Sequence, residues 1–168
     1  MKIIRPTAEE NYLELAKTAS QRGTCIRRRW GAVIVKNQAI LSTGYVGAPR
    51  GFPNCVDIEK CVRQEQGIKP GERYELCRSV HAEMNAIINA ARSGVSTLNS
   101  KIYLYGENVS DGLIVDNGKP CKLCRRMIVN AGIDEVIVKT SHGIDRYNVS
   151  DWIEEAKKDP FKEIEPGY

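Results

Sequence analysis

A chain of 168 residues with no apolar run near the ~20 residues that span a bilayer is expected to form a single domain, residues 1–168, with no membrane partner. Its 25 Lys and Arg against 21 Asp and Glu leave a net charge of +4 without a polybasic tail, which suits a small phosphate-bearing molecule better than a nucleic-acid track. The opening Met1-Lys2-Ile3-Ile4-Arg5-Pro6 lacks the apolar stretch of a secretory signal, so a cytoplasmic protein is expected, with its six cysteines as thiols or ligands rather than disulfides.

Residues 7 to about 22 read as a helix with Thr7 as N-cap, Glu9 and Glu10 in the first turn, and Tyr12, Leu15, Ala16 and Ala19 on a buried face. Gly23 ends it. Two β-prone runs, Gly31–Val35 and Ala39–Thr43, flank Lys36-Asn37-Gln38 and predict a hairpin. The Gly- and Pro-rich residues 44–51 form a loop at a strand end, where binding residues commonly lie. Residues 52–78 hold no clear periodicity but contain Cys55, Cys61 and Cys77; an unpatterned stretch of this length is usually functional or held by something. Met84, Ile87, Ile88 and Ala91 repeat at helical spacing, so a helix begins near His81 and buries that face. A strand over 101–105, a polar loop over 106–119, a helix that starts at the Cys121 to Cys124 pair and closes at Gly132, and a strand over 135–139 make a βαβ unit with its two strands parallel. A closing helix over 150–158, capped by Ser150, completes the pattern.

The chemistry concentrates in two stretches, His81-Ala82-Glu83 and Pro120-Cys121-Lys122-Leu123-Cys124. A Cys-x-x-Cys by itself reads equally as a redox pair, half of a structural zinc site, or two buried thiols. A catalytic zinc takes about three protein ligands and keeps one position for water, and His81, Cys121 and Cys124 make three. Both motifs open amphipathic helices, whose N-termini favour the thiolate form that binds metal. Glu83 stays outside the ligand set, placed to move protons between a metal-activated water and a substrate. Arg27-Arg28-Arg29 is the one dense cationic cluster, either a solvated run or a phosphate contact.

In this order the two stretches carry the H-x-E and P-C-x-x-C signature of zinc nucleobase deaminases. With Thr24–Arg27, Gly44-Tyr45, Gly47, Pro49-Arg50-Gly51 and His81–Ile87, the chain from about 20 to 139 resembles the deoxycytidylate (dCMP) deaminase family. The resemblance implies a three-layer α/β/α cytidine deaminase-like fold around a mixed sheet of about five strands. It implies hydrolytic conversion of dCMP to dUMP and ammonia, Zn2+ held by His81, Cys121 and Cys124, and Glu83 as the proton shuttle. It further implies a cytoplasmic homo-oligomer, often a hexamer, with dCTP and dTTP as effectors and Mg2+ accompanying a bound effector. Substrate contacts are expected from Arg27 first and Arg50 next, as phosphate ligands, and from Val46 and Ala82. Family members commonly carry Asn where this chain has Val46, so either another polar residue meets the sugar hydroxyl or discrimination at the sugar is weaker. Another cytosine nucleotide or nucleoside remains open as substrate. A tRNA adenosine deaminase would need a broader basic surface, and a purely structural zinc protein a fourth protein ligand.

Four cysteines are left over. Cys25, Cys55, Cys61 and Cys77 match no compact zinc-finger spacing, yet four thiolates complete a closed structural site, and some relatives bind a second zinc in this region. Buried small thiols are the competing reading.

Overall fold

The computed structural model describes residues 5–69 and 72–160. The first helix, α1 (Ala8–Ser20), is opened by Thr7 in a capping box: the Thr7 hydroxyl accepts from the Glu10 amide at 3.2 Å, and the Glu10 carboxylate accepts from the Thr7 amide at 2.7 Å. It buries Tyr12, Leu13, Ala16 and Ser20, so the buried face is rotated from the expected one, with Leu15 and Ala19 at its flank.

β1 (Arg28–Lys36) and β2 (Ala39–Tyr45) form the expected hairpin. Asn37 and Gln38 both adopt positive φ at its turn, the backbone that a tight two-residue hairpin needs. β3 (Ser100–Asn108), β4 (Ile133–Thr140) and β5 (Gly143–Asn148) extend the sheet in the order β2-β1-β3-β4-β5, with β3 and β4 parallel and every other pair antiparallel. α5 (Lys122–Asn130) makes the crossover between the parallel strands, as the βαβ pattern requires.

Both faces of this mixed sheet are covered. Alternate residues of β1 serve opposite layers: Val33 and Val35 meet Tyr12, Leu13 and Ala16 of α1, while Ala32 and Ile34 join the core under α4 (Ala82–Arg92), α5 and α6 (Val149–Lys158). The architecture is therefore the expected α/β/α sandwich on five strands. α6 is capped by Asn148 rather than Ser150, which sits inside its first turn.

The approach of α4 to the sheet fixes the site. A Cβ on Gly44 would lie 2.3 Å from both the Ala82 carbonyl and the Ala86 amide, so only glycine lets the helix come this close to β2. Contact at that range admits small side chains alone, and the buried face of α4 is Ala82, Ala86 and Ala90 with Glu83. The expected Met84, Ile87, Ile88, Ala91 face is displaced: Met84 and Ile87 pack at its flank, and Ile88 is 42% exposed. Between β2 and α4 the chain forms α2 (Cys55–Ile58), α3 (Val62–Glu65) and a 3-10 turn (Tyr74–Leu76). Among the described residues no helix is long and apolar enough to cross a membrane.

Candidate metal and catalytic site

His81 is the N-cap of α4 and Cys121 the N-cap of α5, one residue before the helical positions expected for them. These two helix starts meet at one end of the sheet, where His81 Nδ1 lies 3.4 Å from Cys121 Sγ and 3.3 Å from Cys124 Sγ. Among the described residues this is the one group of three His, Cys or carboxylate donors lying within 4.8 Å of one another. One imidazole nitrogen and two sulfurs, drawn together from separate helices, fit the soft donor set of a catalytic zinc with a position left for water.

The thiol pair is electrostatically divided. The hydrogen bond from Cys124, helped by His81, holds the Cys121 thiol well below the usual thiol range, while the same pairing and burial push Cys124 up. Burial opposes the charged form of His81, but its hydrogen bond with Cys121 and the nearby Glu83 carboxylate more than offset that and raise it. Glu83, 7% exposed in the first turn of α4, has its carboxyl pushed up by burial, with the His81 charge working the other way.

His81, Glu83 and Cys121 line a cavity of about 480 Å3. Arg27, Val46 and Ala82 also line it. Val46 spends its backbone on structure, donating to the Trp30 carbonyl and accepting from the Thr24 amide, and offers the cavity only its apolar side chain. Arg50 lies elsewhere. Its guanidinium donates to Asn89 Oδ1 of α4 at 2.9 Å, and the residue is not among those lining the cavity that Arg27 lines. The loop expected over 106–119 begins later, because β3 continues to Asn108, and it closes one side of the cavity through Val115, Asn117, Gly118 and Lys119.

Cys25, Cys55, Cys61 and Cys77 surround a second cavity of about 20 Å3, beside the first. Cys25, Cys61 and Cys77 line both, so the thiol cluster forms part of the wall of the larger cavity. Their sulfurs do not form a group of three within metal-bridging separation, in contrast to the His81 cluster.

Four further cavity residues, Trp30, Arg63, Tyr74 and Arg125, carry no role in the sequence reading. Strand alternation points to one of them: Trp30 shares a side of β1 with Arg28, which also lines the cavity, whereas Arg29 between them pairs with Glu107 at 3.6 Å. Arg125 could have been read from the first turns of α5. Arg63 and Tyr74 carry no local signal.

A family model described as the cytidine and deoxycytidylate deaminase zinc-binding region matches residues 6–140, which include both motif stretches. The chain belongs to this deaminase family. A deoxycytidylate deaminase of a Mycobacterium phage is 33% identical over 138 residues, covering 79% of this chain and 94% of the phage protein. The deoxycytidylate deaminase of Schizosaccharomyces pombe is 31% identical over 146 residues, or 87% of this chain, and the chain spans only 41% of that relative's length. Among solved structures, the dCMP deaminase of cyanophage S-TIM5 in complex with dCMP and dUMP superposes with a TM-score of 0.61 at 27% identity, covering 93% of this chain and 94% of that one. Membership in a zinc-binding deaminase family agrees with the donor set that the fold draws together.

Proposed function

We propose that this deaminase hydrolyses dCMP to dUMP and ammonia in pyrimidine deoxynucleotide metabolism. The observation that carries the reading is the buried Glu83 carboxyl beside the His81, Cys121 and Cys124 cluster, opening on a cavity of nucleotide size. His81, Cys121 and Cys124 would hold zinc, which when bound supplies the Lewis acidity that makes a water nucleophilic near neutral pH. Glu83 then does the proton work: its carboxylate takes the two protons of the attacking water in turn and passes one to the ring nitrogen and the other to the departing amine. Its desolvated position strengthens it as a base, since burial raises the proton affinity of a carboxylate.

The monophosphate is proposed from the cavity's charge. Arg27, Arg28, Lys119 and Lys122 line it, and among the described residues Glu83, committed to proton transfer, is its one acidic lining residue. The Mycobacterium phage and cyanophage relatives, both named as dCMP deaminases, support the same substrate. Arg27 is the proposed phosphate contact, because guanidinium binds phosphate in a bidentate manner. Steady-state kinetics on purified protein should show kcat/KM for dCMP above that for deoxycytidine by roughly 10-fold or more, the weight of one charged hydrogen-bonded contact. Arg27→Ala should erase most of that margin. Equal specificity constants in the wild type would reject a phosphate-reading site. With Val46 apolar, comparison of deoxyribose and ribose substrates in wild type and Val46→Asn tests how the sugar hydroxyl is read.

We extend the reading to a second, structural zinc on Cys25, Cys55, Cys61 and Cys77. Four cysteines lining one small cavity support it, although their sulfurs would have to draw closer, and a metal there would order a stretch that has little regular structure of its own. Elemental analysis of the purified protein should give two zinc ions per chain, and Cys61→Ser should leave one. A fully loaded wild type with a single zinc and four freely alkylated thiols excludes the site.

The proposal includes a cytoplasmic homo-oligomer, with a hexamer as its form, as the family resemblance implies; Phe52 and Leu113, 62% and 63% exposed, are apolar side chains a second copy could cover. dCTP and dTTP, with Mg2+, are the proposed effectors.

A further inference from the structure

The segment from Cys61 to Cys77 begins and ends at the thiol cavity and projects one aromatic side chain onto the metal cluster. The Tyr74 ring meets the His81 ring edge-on, at 87° and 5.0 Å between centroids, and Tyr74 lines the 480 Å3 cavity. The ring is held from behind by Arg63, whose guanidinium carbon lies 4.7 Å from the Tyr74 centroid. Arg63 is only 6% exposed although it sits on a helix of four residues. Its Nη2 donates to the carbonyl of Lys69, at 2.9 Å, and to that of Glu72, tying the guanidinium to two carbonyls of the same segment.

Arg63 is costly to keep. Its Nε is buried without a partner, and a desolvated cation with an unmet donor lowers stability relative to an apolar residue of similar length. The two carbonyl clamps and the stack on Tyr74 do, however, fix where the aromatic ring stands relative to His81. We propose that Tyr74 is a specificity-determining residue, the side chain against which the substrate's planar base is set, and that Arg63 is its positioning residue. The inference rests on the deaminase reading. An aromatic ring beside the reacting carbon contributes through ring-to-ring contact, and its phenol is not required for that.

Tyr74→Ala should raise KM for dCMP about 5- to 10-fold, the scale of one aromatic pair, with catalytic zinc retained, and Tyr74→Phe should restore the wild-type KM. Arg63→Met fills the same space without a buried charge and should raise KM to a similar extent. Arg63→Lys should not rescue, because an ammonium lacks the flat face that stacks. The decisive measurement is the double variant. If Arg63 acts through Tyr74, Arg63→Met adds nothing to KM in a Tyr74→Ala background, whereas a general loss of structure would add in full. Calorimetric binding of dUMP needs no turnover, so it tests the contact separately from the reaction. Wild-type dUMP binding that Tyr74→Ala leaves unchanged, or additive effects in the double variant, would overturn the proposal. A wild type that binds dUMP through Tyr74 yet releases no ammonia from dCMP would uphold the contact and refute the reaction.

Discussion

Glu83→Gln should leave the fold and the catalytic zinc in place and lower kcat for dCMP by at least ~100-fold, the usual contribution of a positioned general acid and base. The amide has nearly the same shape but accepts no proton from water and delivers none to the leaving amine. The fold should tolerate it because the site already disfavours charge: burial pushes the Glu83 carboxyl up, so a neutral isostere removes a desolvation penalty instead of creating one. No donor of the metal cluster is touched, since Glu83 lies outside the group formed by His81, Cys121 and Cys124. Three measurements on one preparation check this: zinc content, thermal midpoint and ammonia release. Ordinary turnover in a zinc-loaded, folded Glu83→Gln protein would take Glu83 out of the mechanism.

The parts of the site that were legible in the sequence are those whose geometry is local. Cys121 and Cys124 are three residues apart at a helix start, and that spacing alone brings their sulfurs to one side. His81 and Glu83 straddle the start of α4, so one is a cap that reaches the cluster and the other turns into the wall. The meeting of the two pairs follows from the βαβ unit, because parallel β3 and β4 bring the start of α5 to the same sheet end as the start of α4.

Elsewhere the sequence misled for physical reasons. Periodicity placed the large residues of α4 inward, but the helix packs through alanines, because Gly44 lets it approach β2 at backbone contact. Hydrophobicity scores favour size, whereas this interface is limited by space. β5 was not anticipated as a strand: Gly143–Asn148 is an edge strand without a buried residue, and its pairing with β4 depends on backbone hydrogen bonds that no side-chain pattern advertises. Arg50, expected next after Arg27 as a phosphate contact, instead donates to Asn89, which itself donates to the Thr43 carbonyl of β2. Arg63 and Tyr74 were invisible because their roles depend on a long-range clamp across residues 69–72 and on contact with His81, neither of which has a periodic signature.

Loss of either sulfur from the cluster should have the largest effect of all. Cys121→Ala and Cys124→Ala each leave two donors where the catalytic metal needs three, and both should lose that zinc and at least ~1,000-fold in kcat/KM, since Lewis-acid activation is worth several kcal/mol. The two variants should still differ. Cys124 is fully buried in the core with Ile128, Leu104 and Val136, so its truncation also opens a void beneath α5, whereas Cys121 stands at the cavity wall. Cys124→Ala should therefore lower the thermal midpoint of the metal-free protein below that of Cys121→Ala. Removing zinc from the wild type with a chelator should reproduce the loss of activity, and adding zinc back should reverse it in the wild type but in neither variant. Metal analysis also separates this centre from the proposed second one, because Cys124→Ala should reduce two zinc ions per chain to one and leave the Cys61 cluster filled. A Cys124→Ala protein with full zinc and undiminished turnover would remove Cys124 from the ligand set.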